Sequence, residues 1–140
     1  MEPQKDSITS LPAGPYFGTV VHGLHNGEGL GFPTANVQLS GNAAIAKGAY
    51  AVWAYVDGKR FGGMMYVGTR PTLGLTELTY EINLFDFTGD LYGQEISFVI
   101  VSKLRNEQHF ANRDALSKQL EKDRALAAFL LSLHFKTTPL

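Results

Sequence analysis

The feature that most constrains this chain is a change of period. Through residues 48–104 apolar and polar side chains alternate in short runs broken by glycine and aspartate; after residue 112 the apolar positions recur at helical spacing. Alternation at period 2 sends successive side chains to opposite faces of a strand, whereas a 3.6-residue period gathers them on one stripe of a helix. The strongest alternation is at residues 48–56, with Tyr50, Val52, Ala54 and Val56 on one face and Ala51, Trp53 and Tyr55 on the other. Asp57-Gly58 follows, a favoured two-residue hairpin turn, so residues 59–67 should return antiparallel. Further strands are predicted at 17–22, 36–39, 78–87 and 95–104, the last with Ile96, Phe98, Ile100 and Leu104 on one face. Residues 68–75, with Arg70-Pro71 and two glycines, read as a loop, and Thr88-Gly89-Asp90 as a turn.

In the last third of the chain, Asn112 is placed to cap a helix and Asp114 lies in its first turn, where negative charge is favoured. Leu116, Leu120, Ala127 and Leu130 or Leu131 form the apolar stripe, with Lys118, Glu121, Lys122 and Arg124 largely off it. The length fits about five to six turns. Five or six strands in succession, then one helix, predict a mainly β, antiparallel fold, a meander or a Greek key. Closure into a barrel would remove its exposed edges. Without βαβ alternation a doubly wound nucleotide fold is not expected.

With 140 residues, 44% of them hydrophobic, the chain has material for one compact core. Residues 1–14 read as a flexible leader and 15–140 as the domain. A net charge of −1 gives no reason to expect nucleic acid or an anionic membrane as partner. The absence of cysteine excludes a disulfide scaffold and a thiolate metal site. With no signal-peptide core and no apolar stretch of spanning length, a cytoplasmic monomer is expected.

Three segments carry candidate chemistry. The first runs Gly23-Leu-His-Asn-Gly-Glu-Gly-Leu-Gly-Phe-Pro-Thr-Ala-Asn36. Its glycines let backbone N–H groups crowd an anion, and Thr34 and Asn36, two apart in an extended segment, present hard oxygens to one side, suited to Mg²⁺. It has neither Walker A nor Rossmann spacing, and a surface loop followed by a polar strand reads the residues as well. The second holds Glu81 within an apolar strand; if Ile82 and Leu84 fill a core, Glu81 points outward, where it serves as a proton acceptor or simply as a solvated carboxylate. The third joins the last strand to the helix: Arg105 suits a phosphate or carbonyl pair, and Phe110 either stacks on a flat ring or plugs the core. His22, His25, His109 and His134 show no metal-ligand spacing, and no nucleophilic serine elbow is present.

Together, Leu30-Gly-Phe-Pro-Thr-Ala-Asn36, Gly48-Ala-Tyr50, Gly68-Thr-Arg-Pro-Thr72, Asp90-Leu-Tyr-Gly93 and Leu104-Arg-Asn-Glu107 with Phe110 resemble the riboflavin kinase family; Asp123 also fits its pattern. The resemblance covers roughly residues 14–131. It implies a six-stranded antiparallel Greek-key barrel with a C-terminal helix, and transfer of the γ-phosphoryl group of Mg-ATP to the 5′-hydroxyl of riboflavin, giving FMN. It implies Glu81 as the catalytic carboxylate and Thr34 and Asn36 as Mg²⁺ ligands. Gly23, Gly31, Thr34, Asn36, Leu84, Asp86 and Tyr92 are implied at ATP, and Arg105, Gln108 and Phe110 at the flavin. Residues 23–31 and 68–75 would close over the substrates. The sequence departs from the family at Glu28 and Gln108, where basic residues are common, and at Tyr66, where asparagine is frequent. A flavin-binding module of the same fold without turnover is the alternative reading.

Overall fold

The computed structural model describes residues 14–21, 34–41, 43–72 and 75–133. The β-branched and aromatic runs form six strands: β1 (Tyr16–Val21), β2 (Ala35–Leu39), β3 (Gly48–Val56), β4 (Lys59–Thr72), β5 (Leu75–Leu84) and β6 (Glu95–Arg105). One helix, α1 (Arg113–Leu133), follows. All pairings are antiparallel, and the sheet closes in the order β1-β2-β5-β4-β3-β6. Strands β3, β4 and β5 are hairpin-connected and β6 returns to lie beside β3, which is the Greek-key arrangement. The fold is therefore the barrel with a C-terminal helix that the sequence leads one to expect.

The alternation decides which residues fill the barrel. Tyr50, Val52, Ala54 and Val56 of β3 face inward with Val20, Val37, Met65, Val67, Ile82 and Phe98. Asp57 and Gly58 both adopt positive φ (53° and 78°), as a type I′ hairpin turn requires. Helix α1 lies outside the barrel against β3, β4 and β6, where Ala127 and Leu131 pack on Ala51 and Met64 beside Trp53, Phe85 and Leu104. Burial of Leu131 alone contributes about 1.5–3 kcal/mol. Asn112 caps the helix, its Oδ1 accepting the Ala115 N–H at 2.9 Å.

Several expectations need correction. Residues 68–72 do not form the expected loop: β4 continues to Thr72 and pairs with β5 from Leu75, with Gly68 opposite Thr79 and Pro71 opposite Thr76. Backbone pairing through the hairpin outweighs the local breaker signals, and proline is tolerated close to a strand end. This places β5 three residues earlier than expected; it ends at Leu84, and Asp86 turns the chain with φ +59°. Leu104 does not share a face with Ile96, Phe98 and Ile100, because register irregularities in the β3–β6 pairing move it outside, beneath α1. On α1 the inward residues are Asp123, Ala127 and Leu131, while Leu116 and Leu120 are half-buried. The expected leader up to residue 13 and the glycine-rich run, with His22, Gly23, His25, Glu28 and Gly31, lie outside the described residues, as does His134.

Candidate active site

Strand register builds the site. Around the barrel, Val21 is opposite Asn36, Asn36 opposite Glu81, Glu81 opposite Tyr66, Tyr66 opposite Ala49, and Ala49 opposite Arg105. Directly opposed residues share a face, and neighbouring strands are about 4.8 Å apart. Because Val37, Ile82, Met65, Val67 and Tyr50 point inward, this row points outward. Asn36, Glu81 and Tyr66 are therefore adjacent on the outer wall, and the small Ala49 leaves a gap between Tyr66 and Arg105. Arg105 reaches the row through a bulge: Ala49 faces Arg105 while Tyr50 faces Lys103. Gly48 permits this close approach, since a Cβ there would stand 2.5 Å from the Arg105 carbonyl oxygen, and its φ is +146°.

A cavity of about 480 Å³, within the size range of small-molecule sites, opens over the Glu81, Tyr66, Ala49 and Arg105 part of this row, while Val21 and Asn36 line a neighbouring depression. Its floor is Thr34, Ala49, Met64, Tyr66, Thr79, Glu81 and Asn83; its far wall is Arg105 and Glu107 to Phe110 with Leu116, Leu120 and Asp123 of α1. The lining is more apolar than polar, with Glu81 the one charged group on the strand side and Arg105, Glu107, Arg113 and Asp123 on the opposite wall. Glu81 thus stands where period 2 predicts, outside the barrel with Ile82 and Leu84 inside. Phe110 faces this cavity rather than plugging the core, and Gln108 lines it from an exposed position.

Asn36 is buried, and its Oδ1 has no hydrogen-bond partner among the described residues. A buried carbonyl oxygen left unpaired is costly, and a hard cation would satisfy it. Thr34, two residues earlier, also buries its hydroxyl oxygen. No cluster of three or more His, Asp or Glu is found among the described residues, so a cation here would rely on neutral oxygens and on charge brought by a ligand. Thr34 and Asn36 fit a hard divalent ion that a polyphosphate accompanies.

Arg105 is more constrained than the sequence suggests. Its Nε donates to both oxygens of Asp123 (2.9 and 3.0 Å) and its Nη2 to Oδ2 (2.7 Å), so that edge of the guanidinium is not available to a phosphate. Its Cζ lies over the rings of Tyr66 (5.5 Å) and Phe110 (5.7 Å). Burial, and then the Glu107 carboxylate, push the Tyr66 phenol above its usual range, partly offset by Arg105. Tyr66 is consequently a neutral group at physiological pH and not a rival base to Glu81.

The other expected nucleotide residues lie apart from this cavity. Leu84 packs its side chain into the barrel core, so only its backbone faces outward. Asp86 and Tyr92 are exposed, on the segment that returns to β1 through bonds from Gly93 N–H to the Val20 carbonyl and from Val20 N–H to the Gln94 carbonyl. Strand β1 ends at Val21, opposite Asn36, so this segment meets the end of the barrel that the glycine-rich run adjoins in sequence. Sequence reasoning did not find Met64 and Asn83 as cavity residues, and it gave Tyr66 and Asp123 no role. Asn83, two residues from Glu81 on the same face, was accessible to the same period-2 argument.

The flavokinase (riboflavin kinase) family model matches residues 15–131. The chain is 42% identical over 111 residues to the bifunctional riboflavin kinase/FMN adenylyltransferase of Escherichia coli (strain K12), a match covering 79% of this chain and 36% of that protein. It is 43% identical over 112 residues to the RNA-binding riboflavin kinase RibR of Bacillus subtilis (strain 168), covering 79% and 48%. The chain thus spans less than half the length of either relative. The crystal structure of riboflavin kinase from Trypanosoma brucei superposes with a TM-score of 0.64 at 20% identity, covering 90% of this chain and 88% of that one, a likeness of fold. On the extent of the family match and the identity to these relatives, the chain belongs to the riboflavin kinase family.

Proposed function

We propose that this chain moves the γ-phosphoryl group of ATP, bound with Mg²⁺, to the 5′-hydroxyl of riboflavin, releasing FMN and ADP. The observation that supports this reading most directly is the adjacency of Asn36 and Glu81 across β2 and β5, with Glu81 and Thr34 lining a mostly apolar cavity and Asn36 beside it. An unpaired buried oxygen suited to a cation and a carboxylate suited to an alcohol proton stand about one strand spacing apart. A binding module without turnover would need neither.

Phosphoryl transfer asks a protein mainly for positioning and charge stabilisation. Thr34 and Asn36 would hold the cation, which when bound neutralises charge on the transferring group. Glu81 accepts the hydroxyl proton, a general-base contribution of typically 10²–10⁴-fold. The cavity holds the flavin ring against Tyr66, Phe110, Leu116 and Leu120, with Arg105 and Gln108 on the far wall, so that the ribityl chain runs toward Glu81. Asp86 and Tyr92, with Gly23 and Gly31 of the glycine-rich run and the backbone of Leu84, would line the nucleotide on the side of Val21. Fixing both substrates on one register row is the positional contribution that makes the step effectively unimolecular.

The test is incubation of the purified chain with riboflavin and ATP, with and without Mg²⁺, followed by chromatography. FMN and ADP in equal amounts, only with metal, is the expected result. Riboflavin bound by the folded protein but never converted would replace the kinase reading with the binding module.

A further inference from the structure

We infer that Asp123 is a positioning residue for the acceptor, acting from α1 through Arg105 on the aromatic wall formed by Tyr66 and Phe110. The identity of the acceptor rests on the kinase reading above; the positioning role rests on the geometry. Asp123 is a buried carboxylate, 3% exposed, in a helix whose other buried residues are Ala127 and Leu131. An unpaired charge there would be expensive. It is instead fully engaged: three contacts from Arg105 at 2.7–3.0 Å and a fourth bond from Gln119 Nε2 at 2.9 Å. Gln119 lies one turn earlier on the same helix, the spacing at which side chains meet.

Stability alone does not call for this arrangement, because an apolar pair of similar size serves as well or better in a buried position. What the bidentate pair adds is direction. It fixes a long, flexible side chain so that its guanidinium lies over Tyr66 and over Phe110, while Nη1 donates to the Asn106 carbonyl at 3.2 Å. Tyr66 belongs to the cavity floor, directly opposite Glu81, and Phe110 to the connector that forms the far wall. Asp123 therefore sets the spacing between the floor that carries the proton acceptor and the wall that meets a planar ring. Through it, α1 takes part in recognising the acceptor and not only in covering the barrel.

The test compares Asp123→Asn, Arg105→Met and the double variant Arg105→Met/Asp123→Leu with the wild-type chain. The readouts are riboflavin Kd from quenching of flavin fluorescence without nucleotide, the two KM values, Tm, and the emission of Trp53. Trp53 is the chain's one tryptophan and packs in the cluster beneath α1, so it reports helix docking independently. Asp123→Asn should raise riboflavin Kd and KM about tenfold, the order expected when a cation–aromatic wall is lost, with ATP KM shifted less than roughly twofold and Trp53 emission unchanged. Since Asp123 acts only through Arg105, adding Asp123→Leu to Arg105→Met should leave riboflavin Kd within about twofold. The same addition should raise Tm, by removing a carboxylate left buried and unpaired. Equal changes in both KM values, or additive losses of riboflavin affinity in the double variant, would overturn the inference, as would a wild-type chain that binds no riboflavin. A wild-type chain that makes no FMN, yet binds riboflavin more weakly after Asp123→Asn, would sink the kinase reading and support the positioning role.

Discussion

At the scale of single residues, the proposed chemistry turns on Glu81. Its direction was legible from the sequence, because Ile82 and Leu84 are apolar at the alternate positions and do fill the barrel. Its neighbours were not, because they come from other strands: Asn36 from β2 and Tyr66 from β4 are brought to it by register, which no local pattern encodes. The partner of Asp123 was hidden for a related reason. A charge between Leu120 and Ala127 reads as an interruption of the stripe until Arg105 of β6 is seen to meet it. The proposed role of Glu81 makes a specific prediction. Glu81→Gln should cut FMN formation at least ~10²-fold, with riboflavin binding and Tm retained, because the amide keeps the shape and loses the proton affinity. Turnover near the wild-type rate would remove Glu81 from the chemistry.

At the scale of elements, turn and cap chemistry were read well and strand ends were not. Asp57-Gly58 forms the hairpin turn that its residues favour, and Asn112 caps α1 as its position indicates. Strand β4 overran the predicted loop because pairing with β5 holds its backbone extended through Gly68 and Pro71. The helix matters to the site through its contacts along the cavity wall, so its stability is tied to acceptor binding. Asn112→Ala should cost about 1 kcal/mol, the usual value of an N-cap side chain, measured as a lower midpoint in urea with an unchanged m-value. No change in the midpoint would mean that the Ala115 N–H finds water as good a partner.

At the scale of the whole molecule, the barrel's tyrosines give it an alkaline limit. Burial raises the phenols of Tyr16, Tyr50, Tyr66 and Tyr80 above their ordinary value of 10.0. Each raised group keeps its proton longer in the folded than in the unfolded chain, so its contribution is complete below pH 10 and is lost as pH climbs through the folded values. Tm should hold level up to about pH 9.5 and fall beyond it, and less steeply in Tyr66→Phe. A steep fall already at pH 8 would point to other groups. The same barrel brings the unpaired Asn36 oxygen and the Glu81 carboxylate side by side at the edge of an apolar cavity, and the proposed function has this row join phosphoryl donor to alcohol acceptor. The most direct measurement follows the label from γ-³²P ATP in the presence of riboflavin and Mg²⁺. Label is expected in FMN, in step with ADP formed and with little free phosphate; label appearing only as inorganic phosphate, or remaining in ATP while riboflavin is bound, would contradict a kinase.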